Sequence, residues 1–427
     1  VERTFAIKDF GCKVNQYESQ VIRENLRRFG FSEKGEKIAD VVVINSCTVT
    51  AHADTKTRKY IKHIRKHNPG VKIIVTGCYA VDPEDVITLE GTGEIHAVVP
   101  NRDKMTVPNI VKALFSAGAE AQAMNEWVSE FDSHTRAFVK IQDGCDHVCA
   151  YCKVRIVRGP SRSRDKEDIL NEIKRLSANG YREIVLTGIC LGSWRGKDGG
   201  AFSGLVREIE AIDADIRVRL SSLEPDQIDE ELLAVISSSR KICRHFHIPL
   251  QSGSDRILAL MKRRYTAGRF ELLVEKIRGI MPDAGITMDI ISGFPQETDV
   301  DFQATCSFIE KIRPSRLHVF SYSDRKGTLS SSMPGKVGHK VIKDRVEKII
   351  KLGEKLQHDF AASFLGREVS VLIEGKPRGD TLTGYTSEYV QVSLRGFEKS
   401  EGEIVKIIPT DIEGSCPVLT VTQQKSE

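Results

Sequence analysis

No stretch of this 427-residue chain approaches the roughly eighteen consecutive apolar residues of a membrane-spanning helix, so no membrane partner is expected. The opening segment, V-E-R-T-F-A-I-K, lacks the charged-then-apolar pattern of a secretory leader, and the expected location is the cytoplasm. Charge of one sign is lacking too: 63 Lys and Arg against 59 Asp and Glu leave +4, which neither demands nor excludes a nucleic-acid partner. There is no low-complexity tract and no short tandem repeat. An apolar content of 40% supports ordinary cores, and the length suits two or three domains.

Cysteine, by contrast, is plentiful at ten residues, and in a long chain of this kind the thiols read as metal or catalytic groups rather than disulfides. Cys145, Cys149 and Cys152 form one tight run, C-x3-C-x2-C. Cys12, Cys47 and Cys78 are far apart, yet each ends a similar phrase after a short apolar run: F-G-C, N-S-C and T-G-C. Two sets of three soft ligands suggest two metal centres, each one protein ligand short. An iron–sulfur cluster with an unligated iron can take a substrate or cofactor there. Zinc would want a fourth ligand, and His147 sits inside the run, but zinc motifs usually pair C-x2-C units. The remaining four, Cys190, Cys243, Cys306 and Cys416, share no pattern and read as small core residues, although Cys190 follows a strand at the active face.

Strand and helix signals alternate. Strands are predicted over 4–8, 40–45 and 71–76, with helices over 15–29 (Asn15 as N-cap, Gly30 as stop) and 53–67. All three dispersed cysteines then stand just past the C-terminal ends of parallel strands, the edge where such sheets bind ligands. Residues 116–133 read as a linker. A second alternating run predicts strands over 138–142, 183–187, 217–221, 245–249, 287–291 and 316–321 with helices between them: a partial or complete parallel barrel whose site lies at the strand C-termini, where the cysteine run falls. After a charged helical stretch over 340–364, short strands predict a small all-β module. The expected class is therefore α/β: an open parallel domain over 1–115, a linker over 116–133, a barrel domain over 134–360 and a β module over 361–427.

Nearly the whole chain resembles the methylthiotransferase family of radical S-adenosylmethionine enzymes. The matching phrases are F-G-C-K-V-N-Q-Y-E-S from Phe10, I-N-S-C-T-V-T from Ile44, V-T-G-C-Y-A from Val75 and K-I-Q-D-G-C from Lys140. They continue with L-T-G-I-C-L-G from Leu186, R-L-S-S-L-E-P from Arg219, H-I-P-L-Q-S-G-S from His247, M-D-I-I-S-G-F-P from Met288 and H-V-F-S-Y-S from His318. The β module resembles the RNA-binding TRAM domain, and G-C-K-V-N-Q-Y-E resembles the branch that acts on N6-threonylcarbamoyladenosine in tRNA. The resemblance implies two [4Fe-4S] clusters, with Cys145, Cys149 and Cys152 as the catalytic set and Cys12, Cys47 and Cys78 as the auxiliary set. It implies S-adenosylmethionine bound by Thr187, Gly188, Ser222, Glu224, Gln251, Ser252 and Asp289. It further implies a tRNA anticodon stem-loop as substrate, a reductase or flavodoxin-type electron donor, and a monomer. The chain departs from the family pattern at Lys153 and Arg155, at Cys190, and at Ser292 and Ser321. Three alternatives stay open: isopentenyladenosine in tRNA, a ribosomal-protein aspartate, or a non-catalytic metal-containing RNA-binding protein.

Lys56, Arg58, Lys59, Lys62, Arg65 and Lys66 form an acid-free run, and Lys262, Arg263 and Arg264 a second cluster, both able to neutralise phosphates. Residues 361–427 carry seven Lys and Arg against ten Asp and Glu, so RNA binding there needs a local patch (Lys376, Arg378) or stacking on Tyr385 and Tyr389.

Overall fold

Val41–Ser46 is buried along its whole length, as a V-V-V-I run must be when both faces of its sheet are covered. In the computed structural model, which describes residues 2–47, 51–80, 95–116, 120–131, 134–378, 381–397, 401–414 and 417–422, this strand is central. It pairs in parallel with Thr4–Asp9 on one side and Lys72–Gly77 on the other, and Ser32–Glu33 and Ala97–Val98 complete five strands. Alternate residues face opposite layers. Val42, Ile44, Ile73 and Val75 pack on Ile61 and Ile64 of the helix Ala51–His67. Phe5, Val41, Val43 and Ile74 pack on Ile22 and Leu26 of the helix Lys13–Arg28 and on Val107 and Val111 of Val107–Phe115.

The helix Lys13–Arg28 begins earlier than its capping pattern predicts. Cys12, not Asn15, is the N-cap, and it offers no side-chain cap. Asn15 is buried instead, donating to Asn45 Oδ1 at 3.0 Å and to the Ser46 carbonyl at 2.9 Å. A cross-strand partner has taken the amide that the pattern assigned to the cap. Gly30 does stop the helix, at φ +85°, a conformation that favours glycine.

Six parallel strands follow: Ala137–Lys140, Glu183–Thr187, Arg217–Leu220, His245–His247, Gly285–Ser292 and Arg316–Ser321. They form two three-stranded sheets, bridged by Val218 to Ile242 and Ser222 to His247. Among the described residues no pairing joins the first strand to the last, so the barrel is partial. Asp165, Asp229, Thr266 and Thr298 cap the helices between strands with their side-chain oxygens. One apolar core runs from Tyr17 and Val21 of the helix Lys13–Arg28 through this layer to Leu356.

The helix His339–Ala362 leads to a six-stranded sheet, Val369–Arg378, Thr381–Thr386, Gln391–Arg395, Ile404–Ile407, Asp411–Glu413 and Val418–Thr422. This sheet seats on the barrel end opposite the cysteine run. Arg217 donates to the Tyr385 carbonyl at 2.8 Å, and Arg219 to those of Thr386 and Ser387 at 3.0 and 2.9 Å. Tyr385 and Tyr389 stack on each other beneath Arg136, with Arg219 over Tyr389. The two tyrosines proposed to stack on bases thus belong to this interface. Cys416 and parts of 116–133 lie outside the described residues. Among the described residues, no helix is long and apolar enough to cross a membrane.

Candidate active site

The C-x3-C-x2-C loop leaves the first barrel strand at a turn only glycine can make. Gly144 has φ +71°, and a Cβ there would lie 1.9 Å from the Pro160 carbonyl oxygen. Gln142 Nε2 holds the same turn through the Gly144 carbonyl at 2.8 Å, while its Oε1 accepts the amide of Cys190 at 2.8 Å. The three thiols then sit in a common field. Burial pushes Cys152 up to about 11, and Cys149 adds to that. Burial also raises Cys149, which Arg263 pulls back. The amides of His147 and Val154 point at the sulfurs of Cys145 and Cys152, each at 3.4 Å. Three soft donors with N–H groups directed at their sulfurs fit an iron–sulfur cluster, whose thiolate charge such donors stabilise.

Two of the surrounding groups take roles that the sequence reading did not assign them, although it placed Cys190 at the active face. Arg263, read from sequence as part of a phosphate-binding patch, has a buried side chain; its Nη1 reaches Cys149 Sγ at 3.2 Å and its Nη2 pairs with Glu224. Its partners lie 114 and 39 residues away, so only the fold reveals them. Cys190, read as a core residue, is buried but hydrogen-bonds Cys145, which raises the Cys145 thiol and lowers its own. It also accepts from Gln227 at 3.0 Å and Ser193 at 3.2 Å.

The second set converges by strand register. Asp9 stands beside Asn45 and Ser46 beside Gly77, so Cys12, Cys47 and Cys78 all emerge at one edge. Cys12 Sγ lies 3.5 Å from Asn15 Oδ1, and Cys12 raises Cys78, whose main shift is upward through burial while Arg158 and Lys104 oppose it. This donor set also fits a cluster.

The seven residues expected to bind S-adenosylmethionine divide. Gln251 and Asp289 line a cavity of about 220 Å³ together with Cys152, Lys153, Tyr151 and Tyr322. Gln251 holds φ +68°, rare outside glycine. Thr187 and Gly188 lie at the C-terminal end of the second strand, where a Cβ on Gly188 would come within 3.1 Å of the Gln142 carbonyl oxygen. Ser222 bridges to His247, and Glu224 caps a short turn while pairing with Arg263. Ser252 turns inward, 3.3 Å from Thr305. Asp289 accepts from His318 at 3.1 Å and pairs with His247 at 3.2 Å. Burial opposes its ionised form, but those two contacts outweigh it and hold the carboxyl below the usual range. The three side chains can also hold a metal ion, their ligand atoms all lying within 4.8 Å of one another.

A partial parallel barrel with this three-cysteine loop past its first strand defines a radical S-adenosylmethionine protein. Comparison agrees: residues 139–309 match the Radical SAM superfamily and residues 4–99 the uncharacterized protein family UPF0004. The chain is 36% identical over 424 residues to threonylcarbamoyladenosine tRNA methylthiotransferase MtaB of Thermotoga maritima, covering 97% of each. It is 36% identical to the protein of the same name from Bacillus subtilis, covering 95% of this chain and 93% of that one. It is 34% identical to tRNA-2-methylthio-N(6)-dimethylallyladenosine synthase of Carboxydothermus hydrogenoformans, covering 96% and 97%. Among solved structures, the radical S-adenosylmethionine methyltransferase TsrM from Kitasatospora setae shares the fold, with TM-score 0.55 and 14% identity over 75% of each chain. The chain belongs to the methylthiotransferase family of radical S-adenosylmethionine enzymes, whose cofactors are [4Fe-4S] clusters and S-adenosylmethionine.

Proposed function

We propose that this enzyme places a methylthio group on C2 of N6-threonylcarbamoyladenosine at position 37 of tRNA. The observation that carries this reading is the pair of cysteine triplets, each past the C-terminal edge of its own parallel sheet. The names of the Thermotoga and Bacillus relatives support the choice of substrate. Cys145, Cys149 and Cys152 would hold one [4Fe-4S] cluster and Cys12, Cys47 and Cys78 the other; once bound, these supply S-adenosylmethionine cleavage and sulfur chemistry.

The chain's own groups give that chemistry its setting. The amides of His147 and Val154 and the guanidinium of Arg263 donate towards thiolate sulfur. Gln251 and Asp289 offer polar contacts to S-adenosylmethionine within the cavity beside Cys152. Aromatic Tyr151, Phe320 and Tyr322 line that cavity, with Phe320 at its exposed side. The anticodon stem-loop meets the exposed cations of the helix Ala51–His67, and 361–427 act as a TRAM-like RNA-binding module attached to a radical domain over 134–360 and an auxiliary-cluster domain over 1–115, joined by the linker 116–133. The protein works as a cytoplasmic monomer with a reductase or flavodoxin-type electron donor.

Mass spectrometry of tRNA nucleosides tests the reading, using a methylthiolation-deficient bacterial strain that still makes both threonylcarbamoyl- and isopentenyladenosine. Expression of this chain should add a methylthio-threonylcarbamoyladenosine peak. A methylthio-isopentenyladenosine peak in its place overturns the substrate. Cys149→Ala should abolish both S-adenosylmethionine cleavage and product. Cys47→Ala should retain cleavage and lose product.

A further inference from the structure

Arg158 stands where the two cysteine sets meet. It ends the helix Val154–Arg158, which starts two residues after Cys152, and its side chain is 1% exposed. The guanidinium makes four contacts. Nη1 donates to Asp143 Oδ1 at 2.9 Å and Glu18 Oε1 at 3.2 Å; Nη2 donates to Asn15 Oδ1 at 2.6 Å and Glu18 Oε2 at 3.3 Å. Every partner belongs to a cysteine segment. Asp143 precedes Cys145 by two residues and also accepts the Gly144 amide at 2.8 Å. The carbonyl of Gly159, next to Arg158, accepts the Cys145 amide at 3.1 Å. On the other side, Asn15 Oδ1 faces the Cys12 thiol, and Asn15 Nδ2 donates to the Ser46 carbonyl beside Cys47. Arg158 is close enough to Cys78 and Cys12 for both thiolates to favour its charge.

We propose that Arg158 is a positioning residue that locks the two cysteine sites into one arrangement and lends positive charge to the Cys12, Cys47 and Cys78 site. The inference rests on the cluster assignments above. A planar fork held by two carboxylates and an amide fixes direction as well as distance, and the ammonium of lysine cannot reproduce it. The neighbouring Lys104 and Lys140 reach Glu18 but neither contacts Asn15 among the hydrogen bonds of this cluster. Among the described residues, Arg158 is the side chain whose hydrogen bonds join Asn15 to Asp143, while Lys140 bridges Glu18 and Asp143 at 3.0 and 3.6 Å.

The test compares anaerobically reconstituted wild type, Arg158→Lys, Arg158→Gln and Asn15→Ala. It measures iron and sulfide per chain, electron paramagnetic resonance during redox titration, and methylthio product per 5′-deoxyadenosine formed. In Arg158→Gln the iron content and 5′-deoxyadenosine formation should stay within about twofold of wild type, while product per 5′-deoxyadenosine falls at least tenfold. The signal that Cys47→Ala removes should move to lower potential in Arg158→Gln and move less in Arg158→Lys, which keeps the charge. Asn15→Ala keeps the cation but cuts the tie, so it should uncouple without the potential shift. An unchanged product ratio and potential in a variant with full iron overturns the proposal, as does a parallel loss of cleavage and product. If Arg158→Gln does not hold iron, an unchanged ratio in Asn15→Ala overturns it. Wild type that shows only one cluster signal refutes the cluster assignments instead.

Discussion

Among single residues, Arg263 is the guanidinium that reaches a catalytic thiol, that of Cys149. It is held between a thiol and a carboxylate with 3% of its side chain exposed. Removing one partner of a buried ion pair leaves the other charge uncompensated, at a cost of roughly 3 kcal/mol. Arg263→Met should therefore lower the urea midpoint of the cluster-free protein and reduce iron uptake on reconstitution. A midpoint equal to wild type would show that Glu224 finds its solvation elsewhere. At this scale the grouping of the cysteines was legible from residue type and spacing, and the fold does bring Cys12, Cys47 and Cys78 to one sheet edge. Arg263, Arg158 and Cys190 were not legible. Their roles depend on side chains 37 to 143 residues away, and local pattern is blind to such separations.

Elements add constraints that residues alone do not show. The barrel's cysteine loop depends on the Gly144 turn, and the backbone of Pro160 leaves no space for a methyl group there. Gly144→Ala should preserve the far-ultraviolet circular dichroism of the protein yet lower iron bound after reconstitution by at least half. Retention of full iron would show that the 159–160 segment yields. Most strands and helices were readable because apolar periodicity reports burial. Glu183–Thr187 and Arg316–Ser321 agree with their predicted bounds. The start of Lys13–Arg28 was misread because Asn15 serves a neighbouring strand rather than its own helix.

For the whole molecule, the seat of the C-terminal sheet on the barrel turns on Glu183. This fully buried carboxylate gathers Arg217 and Arg219. Burial opposes its charge, but the guanidiniums outweigh burial and hold it down to about 2. A folded value below the unfolded one, near 4.5, contributes stability at higher pH that is lost as pH falls from about 4.5 to about 2. Glu183→Gln should destabilise the protein by about 3 kcal/mol at pH 7, with the deficit shrinking through that window, as urea unfolding at stepped pH would show. A constant deficit at every pH contradicts the assignment. Substrate binding belongs to the same scale. Lys59 and Lys62 are exposed on the helix Ala51–His67. Lys59→Glu with Lys62→Glu should weaken tRNA binding and reduce the salt slope by about two, measured by filter binding across salt concentrations. An unchanged slope would place the RNA elsewhere.

The sequence by itself determined the thiol sets, the alternating α/β order and the family, because ligand chemistry and apolar periodicity are written locally. Only the tertiary structure decided which charges face the thiols, which tyrosines lie beneath the barrel and how one arginine joins the two cysteine sites. Those outcomes depend on contacts between segments far apart in the chain, and on burial, which turns an ordinary cation into an obligatory partner of a particular carboxylate.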